Sequence, residues 1–200
     1  MTEIEYDEKG LVPVVVQDAL TSEVLMMAFA DREAYAKMLE TGRTHFHSRS
    51  RDRLWMKGET SGHVQDIVSM QLDCDGDCLL VRVRQTGVAC HLGRPSCFEE
   101  VLMGDLKGTS AILPELIRVI RDRRMNPRQG SYTSSLFENE DKMLKKVVEE
   151  AAEVALASKS DDGGARAWEV ADLVYHLLVV LEGKDIPLDH VYRTLWERRK

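Results

Sequence analysis

Two hydrophobic periods divide the chain. In the first half, short segments alternate or cluster β-branched residues at Leu11–Gln17, Arg43–Ser48 and Ile67–Leu72, and Leu79–Gln85 alternates most cleanly. These predict strands. Between the first two, Asp31–Glu40 has helical spacing, with Asp31 as N-cap and Gly42 as the stop. From Ile112 the period lengthens: Leu116, Val119 and Ile120 share a helical face until Asn126-Pro127 ends the run, and Pro114 suits a first turn. Longer helices are predicted at Glu138–Lys159 and Ala165–Leu181, parted by the turn residues Ser160–Gly164, and a last one follows Pro187. The expectation is two domains, an α+β, mainly β, N-terminal one and an all-α helical bundle.

The change of period falls across Gly104–Ser110, which places the domains at 1–106 and 110–200. The elongated amphipathic helices of the second would bury their faces better in an oligomer than alone. With 44% hydrophobic and 30% charged residues among 200, the composition is that of an ordinary globular protein. The acidic first ten residues do not resemble a signal peptide, and no apolar run reaches the ~20 residues of a membrane span, so a cytoplasmic protein is expected. A formal net charge of −7 argues against a general nucleic-acid binder and leaves small anionic substrates open.

All four cysteines fall between positions 74 and 97, which favours metal ligation over disulfides. Asp73-Cys74-Asp75-Gly76-Asp77 places three carboxylates at alternate positions; in an extended strand they would share one face and Cys74 the other. Carboxylates suit Mg²⁺ and thiolates Zn²⁺. The plain alternative is a hairpin turn at Asp75-Gly76 with solvated aspartates. An EF-hand is excluded, since the sixth and twelfth positions counted from Asp73 are Cys78 and Arg84. Downstream, Cys90 and Cys97 flank a Gly- and Pro-containing loop that could fold both sulfurs onto one ion. With Cys74 they would supply three ligands and leave a fourth position for an activated water. His91 is open to a ligand, general-base or plain loop role, with the catalytic one expected.

In the second half, Glu150 and Glu153 lie three apart on one helical face, flanked by Glu149, and Glu169 and Asp172 repeat the spacing on the next helix. Antiparallel packing would bring both pairs around Mg²⁺, with a glutamate such as Glu150 as candidate base. The alternative is a solvated stripe; against it, Asp172 sits in the apolar run Val170–Tyr175, where an unpaired carboxylate is costly.

Several stretches resemble phosphoribosyl-AMP cyclohydrolase: Ser48–Arg51, Leu54-Trp55, Lys57–His63, Asp73–Asp77, Ala89–His91 and Ser96–Phe98. The resemblance implies a hydrolase of histidine biosynthesis that opens the adenine ring of phosphoribosyl-AMP. It assigns Mg²⁺ to Asp73, Asp75 and Asp77 and Zn²⁺ to Cys74, Cys90 and Cys97, in a homodimer whose zinc site is completed by the other subunit's Cys74. Arg49, Arg51, Lys57, Glu59, Thr60 and Ser61 become substrate-binding candidates, the cations for the phosphate ends. Cys78 falls outside the pattern and is expected to be structural, and His47, where an aromatic is usual, to pack. The helical half resembles the all-α nucleotide pyrophosphohydrolases, and most fully phosphoribosyl-ATP pyrophosphatase, through Asn126-Pro127, Gly130–Thr133, Lys145–Val147, the carboxylate pairs and Tyr175–Leu178. Lys142, Lys145 and Lys146 are candidates to neutralise the triphosphate. The combined expectation is a bifunctional enzyme whose second domain releases pyrophosphate from phosphoribosyl-ATP before the first opens the ring. The alternatives are a general nucleoside triphosphate pyrophosphohydrolase and a chain whose N-terminal zinc is structural.

Overall fold

A computed structural model describes residues 3–159 and 161–199. It divides into two compact units, 1–108 and 109–200. Ser160, one residue of the expected interhelical turn, lies outside the described residues, as do the first two residues of the acidic N-terminal stretch.

The first unit is a six-stranded sheet built from β1 (Val12–Asp18), β2 (Val24–Ala30), β3 (His45–Ser48), β4 (Arg53–Met56), β5 (Gln65–Leu72) and β6 (Leu79–Gln85), in the order β4-β3-β2-β1-β6-β5. Only the β1–β6 pair is parallel. Alternation explains which side is buried: Val12, Val14 and Val16 of β1 and Leu79, Val81 and Val83 of β6 enter one core. Each such side chain contributes about 1.5–3 kcal/mol. Helix α1 (Arg32–Thr41) covers that core with Ala34 and Met38. Asp31 caps it, its Oδ1 accepting from the Ala34 N–H at 2.7 Å, and Gly42 ends it in the left-handed region at φ 67°.

Strands β2 and β4 are additions to the expected elements. Val24–Ala30 is an apolar run without clean alternation, and Arg53–Met56 is four residues long, so neither has a period to read.

The second unit contains α2 (Ile112–Met125), α3 (Tyr132–Phe137), α4 (Glu140–Ala157), α5 (Gly163–Gly183) and α6 (Leu188–Arg198). Two boundaries move because of caps. Asn139 accepts from the Lys142 N–H, so α4 starts at Glu140; Asp162 accepts from the N–H groups of Gly164 and Ala165, so both glycines join α5 instead of the turn. Short α3 was not predicted. Contacts between α4 and α5 run in reverse order: Met143 lies against Gly183, Glu150 beside His176, and Glu153 feels the charge of Glu169. The pair is therefore antiparallel. A Cβ at Gly183 would stand 2.8 Å from the Met143 sulfur, so that flexible side chain would have to shift to admit one. The core is small, with Ile120, Leu136, Met143 and Val179 buried. No described helix is long and apolar enough to cross a membrane.

Candidate active sites

In the first unit the acids sit in the loop joining β5 to β6, not on an extended strand. The hairpin expected as the plain alternative does form, with Gly76 at φ 88°. The aspartates nonetheless converge: carboxylate oxygens of Asp73, Asp75 and Asp77 lie within 4.8 Å of one another. Asp73 Oδ1 accepts from the N–H groups of Gly76 and Cys78, each at 3.1 Å. Burial works against the charged form of Asp73, yet these backbone donors and the Asp77 carboxyl hold it below the ordinary carboxylate range. Asp77 is pushed up by its hydrogen bond to Asp73 and then by the charges of Asp75 and Asp73. Three hard oxygen donors crowded enough to push one another's acidity apart fit a divalent cation, which would relieve the repulsion. Cys74 is not turned away from them, its Sγ lying 3.9 Å from Asp75 Oδ1.

The second donor set is sulfur. Cys97 is tied to the sheet by its N–H to the Leu25 carbonyl (2.8 Å), and buried Ser96 donates its hydroxyl to the Val24 carbonyl (2.7 Å). Cys90, after β6, is buried, and the two thiols are hydrogen-bonded; burial and then that bond raise the Cys97 thiol. Two adjacent thiols fit a soft divalent ion. Among the described residues, Cys74 does not join Cys90 and Cys97 within one chain. His91 lies exposed in the turn between them.

Beside this pair, a cleft of about 700 Å³ opens between β2 and the β3–β4 turn. It brings Arg49, Arg51, Arg53 and Glu59 together with Cys97. The Arg49 guanidinium rests on the Phe29 ring, 3.9 Å from its centroid. Lys57 is half-buried next to the thiols; burial lowers it, and the charges of Cys97 and Cys90 oppose that. Thr60 and Ser61 are exposed in the following turn, where the Ser61 hydroxyl accepts from the His63 N–H. Arg53, on β4, lines the same cleft. His47 corrects its expected packing role, because both ring nitrogens face carboxylates: Nδ1 lies 2.8 Å from Asp31 Oδ2 and Nε2 3.1 Å from Asp52 Oδ1.

In the helical unit, oxygens of Glu150, Glu169 and Asp172 lie within 4.8 Å of one another across α4 and α5. Glu150 is only 4% exposed. A hydrogen bond from Lys146 holds its carboxyl below the usual range against the effect of burial, with Glu153 and His176 helping. Glu153 is exposed and outside the tight cluster; the neighbouring Glu150 charge raises it. Lys145 and Lys146 both pair with Glu149 at 3.1 Å, so each enters the site with a carboxylate partner. His176, not assigned a role by spacing, is buried with Nε2 3.8 Å from Glu150 Oε1 and 3.4 Å from the Tyr132 hydroxyl. Its Nδ1 is the one buried side-chain polar atom without a hydrogen-bond partner among the described residues. A mostly buried acid trio of this kind fits a hard divalent ion, since uncompensated charges there would be expensive.

These three donor sets, on a strand-rich unit followed by a helical one, mark a two-domain chain of the hydrolase class. Residues 26–99 match the family model for phosphoribosyl-AMP cyclohydrolase, and residues 113–199 that for phosphoribosyl-ATP pyrophosphohydrolase. Full-length relatives include histidine biosynthesis bifunctional proteins HisIE. That of Nostoc sp. is 52% identical over 99% of this chain and 93% of its own; that of Bacillus subtilis is 48% identical over 98% and 95%. The Thermoanaerobacter pseudethanolicus protein is 47% identical over 96% and 97%. The chain belongs to this HisIE family.

Proposed function

We propose that the two activities of this chain run on separate metal-supported centres, each built within its own unit. The chain is a bifunctional hydrolase of histidine biosynthesis, a phosphoribosyl-ATP pyrophosphohydrolase and a phosphoribosyl-AMP cyclohydrolase. What supports separate sites is that each unit gathers its own donors, thiols beside an arginine-lined cleft in one and, in the other, one buried and two half-buried acids between two helices.

In the helical unit, Glu150, Glu153, Glu169 and Asp172 would hold Mg²⁺, which when bound neutralises polyphosphate charge and activates water. Lys146 keeps Glu150 ionised and so ready as ligand or base, and Lys145 and Lys146 would meet the phosphate chain once Glu149 yields them. In the strand-rich unit, Cys90 and Cys97, with Cys74 contributed by a second subunit of a homodimer, would hold Zn²⁺. When bound, zinc lowers the pKa of water so that hydroxide is available near neutrality. Asp73, Asp75 and Asp77 would hold Mg²⁺. Arg49 and Arg51 in the cleft, with Lys57 beside it, bind the phosphate ends of phosphoribosyl-AMP, Glu59, Thr60 and Ser61 supply polar contacts, and His91 is the candidate general base. Such an enzyme would work in the cytoplasm on small nucleotides.

The test is to assay each step separately in Cys97→Ala and Asp172→Asn. Each variant should lose one step by more than about 100-fold, beyond the 10–100-fold typical of groups that only support a ligand, and keep the other. Loss of both steps in either variant would sink the assignment of one site to each unit.

A further inference from the structure

We infer that His47 is a positioning residue for the cyclohydrolase reaction, fastening the arginine-bearing turn of the substrate cleft to the start of α1. The inference rests on the cleft being where phosphoribosyl-AMP binds. His47 is the penultimate residue of β3, and the turn at positions 49–52 that follows Ser48 carries Arg49 and Arg51 between β3 and β4. One ring nitrogen meets Asp31 Oδ2, on the residue whose other carboxylate oxygen caps α1. The other meets Asp52 Oδ1 inside the turn itself. One imidazole thus spans a fixed helix end and a loop.

The chemistry makes this a clamp. A carboxylate oxygen accepts and an imidazole N–H donates, so the two ring nitrogens of one side chain can bridge the acid at the helix end and the acid in the turn. Asp52 sits at φ 48°, in the left-handed region that Asn and Asp tolerate best among residues with side chains. Its side chain is 96% exposed, and among the described residues its polar partner is His47. Across the sheet, His47 pairs with Phe29, whose ring carries the Arg49 guanidinium. The two arginines are therefore set by neighbouring devices, Arg49 by stacking and the turn bearing Arg51 by the His47–Asp52 bond. Without the clamp the cations remain but are spread over more conformations, which raises the cost of ordering them on an anionic substrate.

Steady-state kinetics of ring opening in four variants of the full-length protein test this. His47→Phe keeps an aromatic ring opposite Phe29 and donates nothing. Asp52→Asn keeps the left-handed preference and removes the charge at an exposed site, so folding is preserved. We expect KM for phosphoribosyl-AMP to rise about 10-fold in His47→Phe and about 3-fold in Asp52→Asn, with kcat within about twofold and bound zinc unchanged. The double variant should be no worse than His47→Phe alone, because the pair acts as one unit. Arg51→Ala reports on the cleft itself. If it leaves KM unchanged, the cleft assignment fails and the inference falls with it. If Arg51→Ala raises KM while His47→Phe and Asp52→Asn do not, or if they lower kcat instead, the clamp alone is refuted.

Discussion

The two units build their sites by opposite means. The strand-rich unit has thirteen residues in one buried core and hangs its candidate ligands on loops, Cys97 fastened to the sheet by its N–H to the Leu25 carbonyl and the Asp73 loop closed on itself by the Gly76 and Cys78 N–H groups donating to the Asp73 carboxylate. The helical unit has four residues in its hydrophobic core and places its acids directly on helix faces, where Glu150 is part of the interior. A site on loops can be adjusted without touching the core. A site inside a small core shares its residues with stability, so Lys146 and His176 both support the fold and keep Glu150 charged or hydrogen-bonded.

That contrast can be broken by removing core side chains. Phe46→Ala, which deletes a fully buried ring packed 5.0 Å from Trp55, should cost the strand-rich unit about 3–5 kcal/mol, read by chemical denaturation. Leu136→Ala should cost about 2–5 kcal/mol, and because so few residues form that core it should also weaken pyrophosphate release. Unimpaired pyrophosphate release in a destabilised Leu136→Ala protein would contradict the sharing of site and core. Smaller effects come from the caps: Asp31→Ala and Asn139→Ala should each cost about 1 kcal/mol, the first in the strand-rich unit and the second in the helical one.

The smallest expected effect is an acid dependence. Asp122 is held below the ordinary range by Asn126 and then by Arg128 and Arg123, and Asp185 by Arg124. A lowered folded-state pKa gives stability that is complete above the unfolded value near pH 4 and fades as pH falls through the folded one. In the loop of the other unit Asp73 is lowered but Asp77 raised, so their contributions oppose. Denaturation midpoints followed from pH 5 to pH 2.5 should thus fall for the helical unit, and Asp122→Asn with Asp185→Asn should flatten the fall.

The same contrast decides what was legible beforehand. Glu150, Glu169 and Asp172 could be found from spacing because helix geometry fixes which residues share a face, and the reversal at Asp162–Gly164 implied antiparallel packing. Glu153 has the right spacing but ends up exposed beside the trio, since only the tertiary packing decides which of two acids a turn apart is buried. In the strand-rich unit the donor types were readable and their arrangement was not. Asp73, Asp75 and Asp77 converge through a turn instead of through strand alternation, and Cys97 reaches its place by bonding to β2, an element with no readable period. His47 was misjudged because its partners Asp31 and Asp52 lie 16 positions before it and 5 after it, on elements whose juxtaposition no local pattern encodes.

The claim on which all of this depends is that two metal-supported hydrolytic centres of different donor chemistry share one chain. The most direct measurement is to strip the full-length protein with a chelator and assay each step as single ions are returned. The account predicts that both steps stop, that Mg²⁺ alone restores pyrophosphate release from phosphoribosyl-ATP, and that ring opening of phosphoribosyl-AMP returns only when Zn²⁺ is also supplied. Full-rate turnover of both substrates by the stripped protein, or recovery of ring opening with Mg²⁺ alone, would contradict it.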